Sequence, residues 1–115
     1  MPLSYGQVAA KSITAANTDE TFYTVPASTS VVGQLIVTNT STSVNRTFRL
    51  AITSGGGAAT AKDYLAYDIT LVPQEAWVLQ GLTLNATDII RVRSDATSST
   101  AGTGIIFQLY GEVKT

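Results

Sequence analysis

The chain has 115 residues, a formal net charge of −1, no cysteine and no histidine. Its length indicates a single domain. Charged residues make up only 13% of the chain, against roughly 25% in an average soluble domain, and serine and threonine supply the polarity instead. Because few like charges keep copies apart, this composition favours association with other chains.

The missing residue types and the balanced charge exclude several kinds of site. Without cysteine there is no disulfide, thiol nucleophile or zinc–thiolate centre. Without histidine the commonest general base and metal ligand is missing. The charge pattern lacks the basic stripe that a nucleic-acid backbone requires, and no stretch approaches the roughly 18 apolar residues of a membrane helix. We therefore expect no cofactor, and neither a nucleic acid nor a membrane as partner.

Residues 1–18 are small and polar, with scattered apolar positions and no sustained period. We expect an extended N-terminal arm over 1–18, with room for one short strand near 7–13, followed by a sandwich domain over 19–115. Apolar residues of an arm are available to a partner. The candidate interface residues are Leu3, Tyr5, Val8 and Ile13 in the arm, together with Pro26 where the first strand of the domain ends.

Alternating apolar and polar residues predict strands at 20–25, 31–38, 46–53, 64–72, 75–84, 89–93 and 105–113. Seven or eight strands at such spacing, without any helical period, predict an all-β fold, a single antiparallel β-sandwich. The spacing leaves a jelly-roll and an immunoglobulin-like strand order open.

Two strands carry specific predictions about orientation. In 64–72 the inward set is Leu65, Tyr67, Ile69 and Leu71. In 75–84, Val78, Leu82 and Leu84 share one face, and Trp77 and Leu79 share the other. Gly81 in this strand predicts a bulge or a close backbone approach.

Several constellations invite a chemical interpretation, and each has a structural one that is favoured. The run Gly55-Gly56-Gly57 lacks the lysine of a phosphate-binding loop and predicts a flexible connection. The carboxylates form no recognisable pair for acid–base chemistry. The arginine pairs 46/49 and 91/93 at strand spacing indicate a solvated sheet face. We expect no enzyme.

The aromatic residues have two possible roles. Trp77 could line a sugar-binding platform together with Tyr64, Tyr67 and Phe107. The favoured interpretation is that these rings fill the core of a small sandwich.

Four segments carry a resemblance to a known family. They are YTVPA at 23–27, YLAYD at 64–68, LTLNATD at 82–88 and YGEV at 110–113. With these segments the chain, from about residue 13 to residue 113, resembles small virion proteins of tailed bacteriophages.

The resemblance implies a capsid decoration (cement) protein that binds the major capsid protein on the exterior of the assembled head, as a homotrimer, after assembly in the host cytoplasm. Other places in the virion, namely tail, baseplate or fibre, remain alternatives, as does a carbohydrate-binding module for host attachment.

Overall fold

The computed structural model describes residues 5–55, 57–100 and 102–115. These residues form eight β-strands and one short 3₁₀ turn, Ala61–Asp63. The strands are β1 (Gly6–Ser12), β2 (Glu20–Thr24), β3 (Ser30–Asn39), β4 (Arg46–Thr53), β5 (Tyr64–Leu71), β6 (Ala76–Leu84), β7 (Ile89–Ser94) and β8 (Ile105–Lys114). The predicted all-β fold class is confirmed.

The strands form two antiparallel four-stranded sheets that pack face to face. The first sheet has the order β1-β8-β3-β6 and the second has the order β2-β7-β4-β5. The pairing is nested, because β4 pairs with β5, β3 with β6, β2 with β7, and β1 with β8. This nested order over two sheets is that of an eight-stranded jelly roll. It decides between the two strand orders that the sequence leaves open.

The core lies between the sheets and consists of aliphatic side chains and phenylalanines. Phe107 contacts Phe22 and Phe48, with ring centroids 6.2 and 6.1 Å apart, and Trp77 packs edge-on against Phe48 at 5.3 Å. The core residues are Ile13, Phe22, Val25, Val31, Leu35, Val37, Phe48, Leu50, Ala66, Leu71, Leu82, Leu84, Ile90, Val92, Ile105, Phe107 and Leu109.

The predicted boundary between an arm (1–18) and a sandwich (19–115) is wrong. A short strand does lie near 7–13, but it is β1, the first strand of the roll, and it pairs with β8. Ile13 has no exposed surface, and its N–H donates to the Oγ of buried Ser98. Deleting 1–18 would therefore remove an edge strand of the first sheet together with the core residue Ile13. The polar composition of this segment did not predict a strand of the sandwich, because the side chains on one face of β1 point to solvent.

The structure also corrects the inward set predicted for β5. Leu71 is buried as predicted, and Ile69 shares its face, since it is the register partner of the core residue Phe48, although it is partly exposed at the sheet edge. Leu65 and Tyr67 are exposed, and Ala66 is buried in their place.

A β-bulge explains this change of phase. Between the pairs Phe48↔Ile69 and Leu50↔Ala66, two steps along β4 match three along β5. Asp68 lies inside this stretch with a left-handed φ of 52°. One extra residue moves the following side chains to the other face of the sheet, so a single alternating pattern cannot hold across it.

The bulge predicted at Gly81 is confirmed, and it reverses the phase of β6. Gly81 has a φ of 72°, and two steps along β3 match three along β6. Leu82 and Leu84 are buried as predicted. On the other side of the bulge Trp77 packs against the core and Val78 is exposed, so the prediction that Val78 shares a face with Leu82 is wrong.

Candidate interaction surfaces

The two outward faces of the sandwich differ in charge. The outward residues of the first sheet, set by its register, are Gln7, Ala10, Ser12, Val32, Gln34, Ile36, Thr38, Ala76, Val78, Thr83, Ile106, Gln108, Tyr110, Glu112 and Lys114. Two of these residues are charged, Glu112 and Lys114, and both lie at the end of β8. We call this surface the neutral face. Its amides, hydroxyls and aliphatic groups suit contact with another protein at low desolvation cost.

A shallow groove of about 340 Å³ crosses the neutral face. Its lining residues are Tyr5, Val32, Gly33, Gln34, Gln80, Gly81 and Glu112. Gly81 carries no side chain and has open space where its Cβ would be, which leaves room in the groove. The groove is open to solvent on one side and is lined mainly by apolar surface.

The outward face of the second sheet carries the arginines, and we call it the charged face. Arg49 and Arg93 are direct cross-strand partners on β4 and β7. The Nε of Arg93 donates to an Asp19 carboxylate oxygen at 2.8 Å. Arg91 donates to the carbonyl oxygen of Gly57 at 3.0 and 3.2 Å. Arg49, Arg91 and Arg93 therefore line one sheet face, and acidic or carbonyl oxygens accept hydrogen bonds from them. Arg46 does not share this face, because its register partner is the buried Leu71, and its Nη1 lies 3.8 Å from Asp95. The prediction of a shared solvated face holds for the pair 91/93 and is wrong for 46/49.

Arg49 and Asp68 form a two-pronged ion pair across the β5 bulge. The Nε and Nη2 atoms of Arg49 donate to the two carboxylate oxygens of Asp68, at 2.7 and 3.1 Å. This hydrogen-bonded contact raises the pKa of Arg49 above its ordinary value and lowers the pKa of Asp68 below its own. Both groups are partly open to water, so the pair contributes little to stability on its own. Its effect is to neutralise the one carboxylate on β5.

The Arg49 guanidinium also lies over the ring of Tyr67, 4.0 Å from its centroid, and Tyr64 packs edge-on against Tyr67 at 5.0 Å. A polar cleft of about 230 Å³ opens beside this group. The cleft is lined by Asn17, Thr47, Phe48, Arg49, Asp68, Arg93, Ser94 and Asp95. It presents donors and acceptors together, as hydroxyl-rich ligands require.

The free edge of β5 is the third distinctive surface. Strand β5 closes one side of the second sheet and has a single neighbour, β4. Four large apolar side chains in and just after it are exposed, namely Leu65 at 49%, Tyr67 at 56%, Ile69 at 36% and Val72 at 49%. We call these four residues the β5 wall.

The structure separates the predicted interface residues. Leu3 lies outside the described residues. Val8 packs against the core and Ile13 belongs to it. Tyr5 is exposed and lines the groove of the neutral face. Pro26 is exposed in the turn after β2, an edge strand, so it does follow the end of a strand at a sheet edge as its chemistry predicts.

The aromatic residues do not form one platform. Trp77 and Phe107 belong to the core side of the first sheet, as the favoured interpretation predicts. Tyr64 and Tyr67 lie on the charged face and near the β5 edge, where the prediction of a core role is wrong. Sequence reasoning missed the contact of Tyr67 with Arg49, because it depends on the pairing of β4 with β5 around a bulge.

Within the described part of the chain, no group of three or more Asp or Glu side chains could hold a metal ion. No helix there is both long and apolar enough to cross a membrane. A scan against protein-family models finds no match for the chain, and a search of curated proteins finds none either.

Proposed function

We propose that this chain is a structural protein of a tailed-phage virion, a decoration protein that binds and stabilises the exterior of the assembled head. In this proposal its partners are the major capsid protein and two further copies of itself. It joins the shell in the host cytoplasm. The observation that carries the proposal is the neutral face, a broad sheet surface whose two charged residues both lie at the end of β8.

The neutral face suits permanent association. Interfaces that stay formed are more apolar than transient ones and resemble a core cut in half. Val32 and Val78 are exposed on this face. Ile36 and Ile106 lie on the same face and are half-buried. A flat surface of aliphatic and amide groups can cover a neighbouring protein without leaving a charge unpaired.

The resemblance and the fold supply further support. Two of the segments that carry the resemblance are at the surface, since YLAYD holds Leu65 and Tyr67 of the β5 wall and YGEV begins with Tyr110 of the neutral face. Jelly rolls occur in viral capsid proteins and also in lectins. Fold alone does not assign function, so the support comes from the surfaces.

Co-sedimentation with phage heads assembled without the protein tests the proposal. We expect the purified chain to sediment with heads, and Val32→Asp to lose binding because it buries a charge in the contact. Val44→Asp is the matched control, since Val44 in the β3–β4 loop has a similar exposure, 42% against 39% for Val32. Binding to isolated tails and not to heads would move the protein to the tail, baseplate or fibre. If Val32→Asp sediments with heads as well as Val44→Asp does, the neutral face is not the surface that contacts the head.

The polar cleft beside Tyr67 favours a second candidate function, carbohydrate binding for host attachment. The exposed ring next to the cleft is Tyr67, which lies under the guanidinium of the cleft residue Arg49. Trp77 is packed against Phe48, so Trp77→Ala would perturb the core. A glycan array with the purified chain, repeated with Tyr67→Ala, tests this function. A glycan signal that Tyr67→Ala removes supports it, and a blank array rejects it.

A further inference from the structure

We propose that copies of this chain associate with one another through the β5 wall, Leu65, Tyr67, Ile69 and Val72. The inference deepens the proposed function and depends on it for the number of copies, three. It assigns the contact between copies to one side of the sandwich and leaves the neutral face for the shell.

The exposed apolar surface is concentrated at this side. The large apolar side chains with substantial exposure are Tyr5, Val32, Val44, Leu65, Tyr67, Ile69, Val72, Val78 and Val113. Four of these nine lie within eight consecutive residues, 65–72, in and just after one edge strand. Three of the others, Tyr5, Val32 and Val78, lie on the neutral face, whereas Val44 lies in the β3–β4 loop and Val113 near the end of β8. Scattered exposed apolar residues are normal, whereas a cluster along one edge marks a surface that a partner covers.

The charge of this side permits contact with an identical copy. Asp68 is the one charged residue between Leu65 and Val72, and Arg49 neutralises it from the neighbouring strand. In a ring of identical subunits the same residues approach one another near the symmetry axis. An unpaired carboxylate there would repel its copies, while aliphatic side chains and tyrosine rings can pack together.

The backbone of β5 favours side-chain packing over strand addition. An extended peptide adds to a sheet edge through a regular row of free N–H and C=O groups. The shifts of register on both sides of Ala66 interrupt that row, and bulges are a known way to prevent edge-to-edge pairing. A second folded copy with the same wall therefore fits this edge better than a foreign peptide strand.

The size of the side is sufficient. The molecule measures 44 × 31 × 21 Å, and two packed sheets with their side chains account for the shortest dimension, since sheets lie about 10 Å apart. The side of the sandwich that carries the β5 wall, taken across both sheets, has room for the roughly 800 Å² per partner that stable interfaces bury, with the wall as its apolar part.

Sedimentation equilibrium of the purified chain tests the inference. We expect the wild type to be trimeric at about 100 µM, far above a micromolar dissociation constant, and Leu65→Asp and Val72→Asp to shift it to monomer. Val44→Asp and Val32→Asp are the controls, and both should remain trimeric. Circular dichroism and urea unfolding check that each variant is folded. If an aspartate variant does not fold, Leu65→Gln replaces it, with an expected weakening of self-association of at least about tenfold.

The outcomes separate this inference from the proposed function. A monomeric wild type, or trimers that persist in both Leu65→Asp and Val72→Asp, would overturn the β5 wall contact. A monomeric wild type that still sediments with heads would overturn the inference and leave the decoration function standing. If Leu65→Asp dissociates the trimer but the wild-type trimer does not sediment with heads, the β5 wall contact is supported and the decoration function is rejected.

Discussion

Gly33 and Gly111 face each other across β3 and β8. A Cβ atom on Gly33 would lie 2.7 Å from the Cα of Gly111, and one on Gly111 would lie 2.8 Å from the Cα of Gly33. Either atom would also overlap a carbonyl oxygen of the opposite strand, that of Tyr110 or Val32. Two central strands of the first sheet therefore pass each other at a point where only glycine fits on both.

We expect Gly33→Ala and Gly111→Ala each to lower the free energy of unfolding by at least about 2 kcal/mol, because the obstacle is backbone that cannot rotate away. Urea unfolding measures the change. Gly6→Ala is the control, since Gly6 pairs with Gly111 from the other side but has open space where its Cβ would be. A similar loss in Gly6→Ala would show that general strand propensity, and not the close approach, is responsible.

The β6 bulge gives a prediction about backbone conformation. Gly81 has a φ of 72° and open space around its missing Cβ, so Gly81→Ala adds no clash but forces a left-handed conformation. We expect a loss of about 1 kcal/mol in unfolding free energy, and a smaller loss for Gly81→Asn, which tolerates that conformation better. Gly57→Ala, also in open space, should be neutral. Equal values for the alanine and asparagine variants would contradict the explanation.

Glu20 predicts a pH dependence of stability. Burial alone would raise its pKa, but hydrogen bonds from the Ala15 and Thr14 backbone, from the Thr14 hydroxyl and from Lys11 outweigh burial and hold the pKa below its ordinary value of 4.5. A carboxylate whose pKa is depressed by folding stabilises the protein above its unfolded pKa, and this contribution is lost as the pH falls through the folded pKa.

We therefore expect wild type to be more stable than Glu20→Gln near neutral pH, and the difference to shrink as the pH falls below the ordinary pKa of 4.5 and through the lower pKa of folded Glu20. Urea unfolding of both proteins between about pH 3 and pH 7 measures it. A difference that stays constant over this range would mean that the ionised state of Glu20 does not contribute.

Ser98 holds the end of the first strand to the start of the last. Its buried hydroxyl accepts a hydrogen bond from the Ile13 N–H at 2.7 Å and donates to the Ile105 carbonyl oxygen at 2.6 Å. Ser98→Ala leaves a buried donor and a buried acceptor short of one partner, so we expect a loss of about 2 kcal/mol in unfolding free energy. The exposed neighbour gives the control Ser99→Ala, which should change stability by less than about 0.5 kcal/mol. Equal effects of the two substitutions would contradict this role.

Local chemistry predicted most strands and the faces of most of them, but not the side-chain orientation in β5 and in the first part of β6. Strand β4 begins and ends where its alternation predicts, at Arg46 and Thr53. Strand β5 also lies where predicted, but the predicted orientation of its side chains is wrong, because the bulge depends on the pairing with β4. Arg49 on β4 forms an ion pair with Asp68 on β5, and the alternation of residues within β5 could not predict that contact. At Gly81 the bulge could be predicted, since glycine itself is the signal for a left-handed φ.

The candidate surfaces divide in the same way. Low charge and abundant serine and threonine predicted an associating protein, and this expectation stands as part of the proposal. The location of the surfaces could not be predicted. Ile13 and Tyr5 look alike as apolar residues in a polar segment, but one is in the core and the other lines the groove. The difference arises because β1 pairs with β8, about a hundred residues away along the chain.

By itself, then, the sequence determined the all-β class, the positions of most strands, the turns and one bulge, because these follow from the residues within a few positions of each other. Only the tertiary structure decided the nested jelly-roll order, the inclusion of residues 6–13 in the fold, the phase of β5 and the separation of a neutral face from a charged one. Each of these depends on which distant strands pair. The strands pair in the arrangement that buries the apolar inner faces of both sheets against each other.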